Sequence, residues 1–159
     1  LEATHIFLEG DGLNMQGSSR LDASAKGFAQ LSGTGAGAEP SDGTGGGSGG
    51  GHGGTGGAGH GGNAGGIAYG VIELPVSAGS GGGRARYANG HFRDGGAGGG
   101  TVRIVLSGTL TVSSSASIRV NGAQGADSGL SCQSSCVDNA YNGAAVAPAA
   151  PLPFVLHEL

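Results

Sequence analysis

Between residues 33 and 66 more than half of all positions are Gly, and this tract limits what the chain can fold into more than any other feature. A Gly held in a regular element costs about 0.5–1 kcal/mol relative to Ala, so an ordered tract must recover that where backbones approach too closely for a Cβ. The whole chain carries 39 Gly in 159 residues, no Trp, and only 11% charged residues. Fewer than one residue in five is Ile, Leu, Val or Phe, a composition near that of disordered chains. Disorder of that kind also needs high net charge, and the formal charge here is only −4. An ordinary packed enzyme domain is therefore not expected. Collagen is excluded, because Pro numbers only 5 and no strict Gly-X-Y register runs through the chain. No apolar run approaches the length of a membrane-spanning helix. A mildly acidic chain with a single Lys also lacks the basic stripe that a nucleic-acid partner demands.

The chain contains one clear internal repeat, on either side of the glycine-rich region. Ile6-Phe7-Leu8-Glu9-Gly10 is followed by Leu13-Asn14-Met15 and by Arg20-Leu21-Asp22. Ile104-Val105-Leu106-Ser107-Gly108 is followed by Leu110-Thr111-Val112 and by Ser117-Ile118-Arg119-Val120. With one residue inserted between the first two pieces, the copies superpose at an offset of about 97. Short period-2 alternation of this kind argues for strands with one buried face. No two-residue Asn-Gly or Asp-Gly turn of a hairpin meander sits between the pieces in both copies. Coils of a parallel β-solenoid suit the pattern better, with Ile104, Leu106, Leu110, Val112, Ile118 and Val120 forming internal apolar ladders.

The glycine tract itself allows two readings. A flexible linker is one. The other is a set of extended polyglycine strands in the threefold, polyproline-II-like form, packed side by side with backbone groups paired between neighbours. Ile67, Tyr69, Val71, Ile72, Leu74 and Val76 interrupt the tract before Gly79-Ser80-Gly81-Gly82-Gly83 resumes it, and as buried anchors they would favour an ordered array.

Ala68-Tyr69-Gly70, Glu73-Leu74-Pro75, Gly79-Ser80-Gly81-Gly82-Gly83, Gly95-Gly96-Ala97-Gly98-Gly99-Gly100-Thr101-Val102-Arg103-Ile104 and Ile118-Arg119-Val120-Asn121-Gly122 follow one another in a recognisable succession. Over roughly residues 33–125 it resembles the glycine-rich, β-helix-like repeat regions of very large secreted and cell-surface proteins of microbes, protists and algae. The resemblance implies a structural role and carries over no catalytic residue.

The most reactive-looking stretch runs from Arg84 through Arg86, Tyr87 and His91 to Asp94. A β-helix polysaccharide lyase would need an acidic calcium cluster, which one carboxylate cannot make. A glycosidase would need a second carboxylate in the same motif. An exposed polar loop is expected instead, with Arg84, Arg86, Tyr87 and His91 as candidate glycan contacts. His52 and His60 head two His-Gly-Gly units, either as ligands of one ion or as polar faces of the array; no metal, cofactor or catalytic set is expected.

Cys132 and Cys136 enclose three residues in a Gly- and Ser-rich stretch, the spacing of a small disulfide loop in an oxidising compartment. Zinc is the competing reading, and it would need two further ligands. Pro148, Pro151 and Pro153 force an extended tail, and Phe154, Val155 and Leu156 then supply a short strand suited to docking on a neighbouring sheet edge.

The expected organisation is all-β: a first strand block at 1–32, a glycine-rich tract at 33–100, a second strand block at 101–125, a cysteine loop at 126–143 and an extended tail at 144–159. The chain reads as a mature or partial piece of a longer polypeptide without a signal peptide. Its expected role is that of a non-enzymatic extracellular or cell-surface structural unit that self-associates into a fibre, appendage or matrix. The alternative is a polysaccharide-binding or ice-binding module with a flat repetitive face, and more distantly a decayed polysaccharide enzyme.

Overall fold

The computed structural model describes residues 1–41, 43–60, 62–71 and 74–126, together with the backbone of 156–158. Among these residues the regular structure is strand only, so the chain is all-β. The first block forms β1 (His5–Gly10), β2 (Leu13–Met15) and β3 (Arg20–Asp22). A short hairpin follows the glycine tract, with β4 (Ala85–Arg86) antiparallel to β5 (Phe92–Arg93). The second block forms β6 (Thr101–Leu106), β7 (Leu110–Val112) and β8 (Ser117–Arg119), and β9 (Leu156–Glu158) closes the order.

The two blocks pair strand for strand, and every pair is parallel. His5 stands opposite Thr101, Leu13 opposite Leu110, and Arg20 opposite Ser117. The register thus steps from 96 to 97 positions after β1 and β6; Ile6 pairs with Val102 and Leu8 with Ile104, two residues away from the Ile6–Ile104 match of the repeat. Parallel strands need a long crossover between them. Residues 23–100 provide it.

Alternation decides which side chains meet. Ile6 points inward from β1 while Phe7 stays 54% exposed; Val102, Ile104 and Leu106 point inward from β6. With Met15, Leu21 and Ala23 they form one apolar core, against which Leu8, Leu13, Leu110, Ile118 and Val120 pack at its margin. Ile104, only 1% exposed, sits at its centre, and burying a side chain of that size stabilises by about 1.5–3 kcal/mol. Val112 departs from the expected ladder and is 43% exposed. Among the described residues no strand covers the far edge of β7, so its outer end lies in solvent.

The glycine region forms no ladder, yet its backbone is extensively hydrogen-bonded between distant segments. Gly79 and Gly82 donate to the carbonyls of Gly99 and Gly96 at 2.8 and 2.9 Å. Ser48 and Gly51 donate to Ala38 and Gly35, and Phe28 and Leu31 donate to Gly79 and Gly82. In each case the two bonds to a given neighbour are three residues apart. Consecutive donors reach different segments: Gly81 bonds Ser32, Gly82 bonds Gly96, and Gly83 bonds Ser48. Segments 45–51, 79–83 and 98–100 are buried throughout. A Cβ added at Gly98 would overlap the carbonyl of Gly79, and one at Gly83 the carbonyl of Ala38. These approaches are open to Gly alone.

Three polar side chains enter this array in place of hydrogen atoms, and each completes a backbone bond. The buried Ser80 Oγ accepts the Gly35 amide at 2.9 Å, and Ser48 Oγ accepts the Ala38 amide at 2.8 Å. Asn63 Nδ2 donates to the Ala38 carbonyl at 3.0 Å. Ile67, Val71, Leu74 and Val76 do not act as the expected buried anchors; all four are exposed, between 44% and 62%. Within the same stretch Tyr69 is half-buried, and Ile72 lies outside the described residues.

Candidate functional site

Of the candidate contact residues, Arg84, Arg86, Tyr87 and His91 are brought together on one hairpin. Ala85 pairs with Arg93 and Arg86 with Phe92. The Tyr87 amide donates to the His91 carbonyl, and Gly90, at φ +82, makes the turn that no β-branched residue would accept. Gly45 and Arg86 exchange backbone bonds at 2.8 and 2.9 Å, which ties the hairpin to the glycine array. The stretch is therefore a fastened hairpin and not a free polar loop.

Its charges are largely committed. Arg84 Nε meets Glu39 Oε1 at 2.6 Å, and its guanidinium carbon lies 4.1 Å from the centre of the Phe92 ring. Arg86 approaches the same ring at 5.5 Å. Two arginines around one partly exposed aromatic ring give a planar, cationic surface suited to stacking on a flat or anionic group. His91 and Asp94 are both exposed. Among the described residues no group of three or more His, Cys, Asp and Glu side chains converges, and His52 is buried while His60 is exposed.

The structure adds a site that no single stretch of sequence announces. A cleft of about 310 Å³ opens between the first strand block and the glycine array, lined by Thr4, His5, Phe28, Tyr69, Val76 and Ser77 among others. Its polar wall is fixed from behind. Tyr69 donates its hydroxyl hydrogen to the Ala78 carbonyl at 2.5 Å and accepts one from Ser80 Oγ at 2.7 Å. His5 Nδ1 and Thr101 Oγ1 lie 2.6 Å apart on the neighbouring strands. The His52 ring meets Tyr69 edge to face, with centroids 4.8 Å apart.

His52 is only 2% exposed, and its Nε2 lies 3.1 Å from the Ser77 carbonyl. A carbonyl only accepts, so Nε2 carries the hydrogen in the neutral ring and Nδ1 is the bare nitrogen. Burial lowers the His52 pKa below the ordinary imidazole value, with the Ser77 carbonyl pulling weakly the other way. Burial likewise raises the Tyr69 pKa, against the hydrogen bond from Ser80. The hydroxyls of Tyr69 and Ser80 are both engaged as donor and acceptor, and His52 faces Ser77 instead of the Ser80 hydroxyl. The two hydroxyls hold the ring of Tyr69 as a wall of the cleft, while the buried His52 Nδ1 has no hydrogen-bond partner.

Cys132, Cys136, Pro148, Pro151, Pro153, Phe154 and Val155 lie outside the described residues. The backbone at Leu156 lies on the same chain's own β6, with Leu156 opposite Ile104 and Glu158 opposite Leu106. Comparison of the chain with protein-family models, with curated proteins and with solved structures gives no match.

Proposed function

We propose that this chain is a non-enzymatic structural unit of an extracellular fibre, surface appendage or matrix, made of stacked β-solenoid coils that carry a bundle of threefold, polyglycine-type segments. The observation that carries this reading is the three-residue period of the hydrogen bonds between glycine segments. A threefold extended chain turns by a third at each residue and has no internal hydrogen bonds, so every third amide faces the same neighbour and all its bonds go outward. Such a bundle builds a rigid body from backbone alone. The parallel pairing of the two strand blocks supports the coil, because each block covers only one face of the other and leaves edges that can be extended. The extracellular setting rests on the Cys132 and Cys136 spacing, and the resemblance to surface repeat regions points the same way.

The test is electron microscopy of the purified full-length chain across a range of concentrations. Filaments or laminae with a regular repeat are the expected result. Monodisperse single particles at all concentrations would remove the fibre reading.

The cleft favours a second role, binding of a saccharide through the exposed faces of Phe28 and the Tyr69 wall. Titration with neutral oligosaccharides tests it, and a Phe28→Ala variant should weaken any binding found.

A further inference from the structure

The strand columns of this chain end unevenly. The column built on β1 holds three strands, β1, β6 and β9 in that order. The column built on β2 holds two, β2 and β7. The column built on β3 also gains a third layer, but at the opposite end. Glu2 bridges Asp22 in parallel fashion, the Asp22 amide donates to the Leu1 carbonyl at 2.9 Å, and the terminal amine donates to the Arg20 carbonyl at 2.9 Å. Among the described residues, one end of the stack therefore projects a step at β9 above an open β8. The other end projects a step at Leu1 and Glu2 beneath β3, beside an open β1.

These two profiles are complementary. We infer that a second copy of this chain docks head to tail, with its Leu1–Glu2 segment pairing on β8 of the first copy and its β1 pairing on β9. The inference rests on the structural reading above and names the surface through which the units join. Both columns then reach the same height. The middle column stays one strand short, so the far edge of β7 remains open at each junction.

The registers already present specify the side-chain partners. Glu2 stands opposite Asp22, and Asp22 opposite Arg119. Repeating that column places Glu2 of the incoming copy opposite Arg119, an opposite-charge pair on an edge where Asp22 already flanks Arg119 from the other side. In the β1 column, Leu8 and Leu156 both stand opposite Ile104. The incoming Leu8 then takes its place opposite Leu156. The contact is heterologous and does not close on itself, so it propagates as a filament.

A crosslink distinguishes this contact from any within one chain. Adjacent strands lie about 4.8 Å apart, inside the Cα range of a disulfide, whereas positions 2 and 119 of one chain are separated by two strand spacings, about 9.6 Å, which lies outside it. With Cys132 and Cys136 replaced by Ser, the Glu2→Cys/Arg119→Cys double variant should give a ladder of disulfide-linked oligomers on mild oxidation, and neither single variant should give more than monomer. Dimers from either single variant would show a two-fold contact and overturn the head-to-tail arrangement. Filaments of the unmodified chain without a ladder in the double variant would overturn this docking surface and leave the structural reading standing; absence of both filaments and ladder would overturn the two together. Glu2→Arg in the unmodified background, at an exposed position, should raise the critical concentration for assembly about fivefold by setting two cations opposite each other. An unchanged critical concentration would count against the pairing.

Discussion

Replacing Gly98 with Ala adds one methyl group and probes the whole glycine array. Gly98 has an ordinary backbone conformation, so Ala meets no conformational strain there. The obstacle is steric: the new Cβ would overlap the carbonyl carbon and oxygen of Gly79, both backbone atoms with no rotamer to turn away. Relief requires the two segments to part, and four backbone bonds tie them to each other and to residues 27–28 beside them. These are Gly27 to Gly98, Gly98 to Phe28, Phe28 to Gly79, and Gly79 to Gly99. Each contributes about 1 kcal/mol net, and loss of two to four of them gives roughly 2–4 kcal/mol. The lower entropy of the unfolded Ala chain offsets about 0.4–1 kcal/mol of this. A net loss of about 1–3 kcal/mol is expected, read as a fall in the urea midpoint at unchanged slope. Gly54→Ala is the matched control, since nothing lies within 4 Å of its added Cβ and its φ is not positive. It should be neutral or slightly stabilising. If Gly98→Ala and Gly54→Ala unfold at the same midpoint, the close-approach account of the tract is wrong.

Three further outcomes follow from the same geometry. Ile104→Ala should cost about 2–5 kcal/mol in a urea titration, because its site at the centre of the core cannot collapse around the lost methylenes. Ser80→Ala removes the acceptor of the buried Gly35 amide and the donor to Tyr69, and should cost about 1–3 kcal/mol, with a change in tyrosine fluorescence marking the loosened ring. The His52 pKa is lowered on folding, so the unfolded state binds the proton more readily. That contribution to stability is complete above about pH 6.5 and declines as the pH falls from there through the folded-state pKa. Urea midpoints taken between pH 4.5 and 7.5 should show this slope in the native chain and not in His52→Phe. The lowered Asp22 pKa adds a loss of the same sign, which sets in only as the pH falls through the ordinary carboxylate value.

The strand blocks were legible because alternation is a local code. Ile6 and Leu8, or Ile104 and Leu106, declare which face turns inward without reference to any distant partner. The repeat offset of about 97 then sets the pairing of β2 with β7 and of β3 with β8, but not that of β1 with β6, which pair two residues away from the Ile6–Ile104 match because a shift of two keeps the same side chains inward. The glycine segments offer no such code, since a residue without a side chain cannot name its neighbour. Their arrangement is marked in the sequence only by the polar interruptions, Ser48, Ser80 and Asn63, each placed where a side chain completes a backbone bond. The cleft is built from five separated stretches, at Thr4 and His5, Gly27 and Phe28, Thr34, Tyr69, and Val76 to Ala78, and no spacing rule connects them. The expectation that Ile67, Val71, Leu74 and Val76 are buried failed for a related reason. Apolar residues were assumed to anchor an array whose segments are in fact tied to one another by their amides.

A β-sheet is strong along its ladders and weak between them, because hydrogen bonds run in one plane and only side-chain contacts act across it. Gly81, Gly82 and Gly83 send their three consecutive bonds to three different segments. A load applied across the bundle from any side therefore meets covalent backbones tied together by amide bonds, with no soft direction along which layers can slide. Material built from such units should resist shear about equally around its long axis, a property that neither a stacked sheet nor a loose glycine linker would confer.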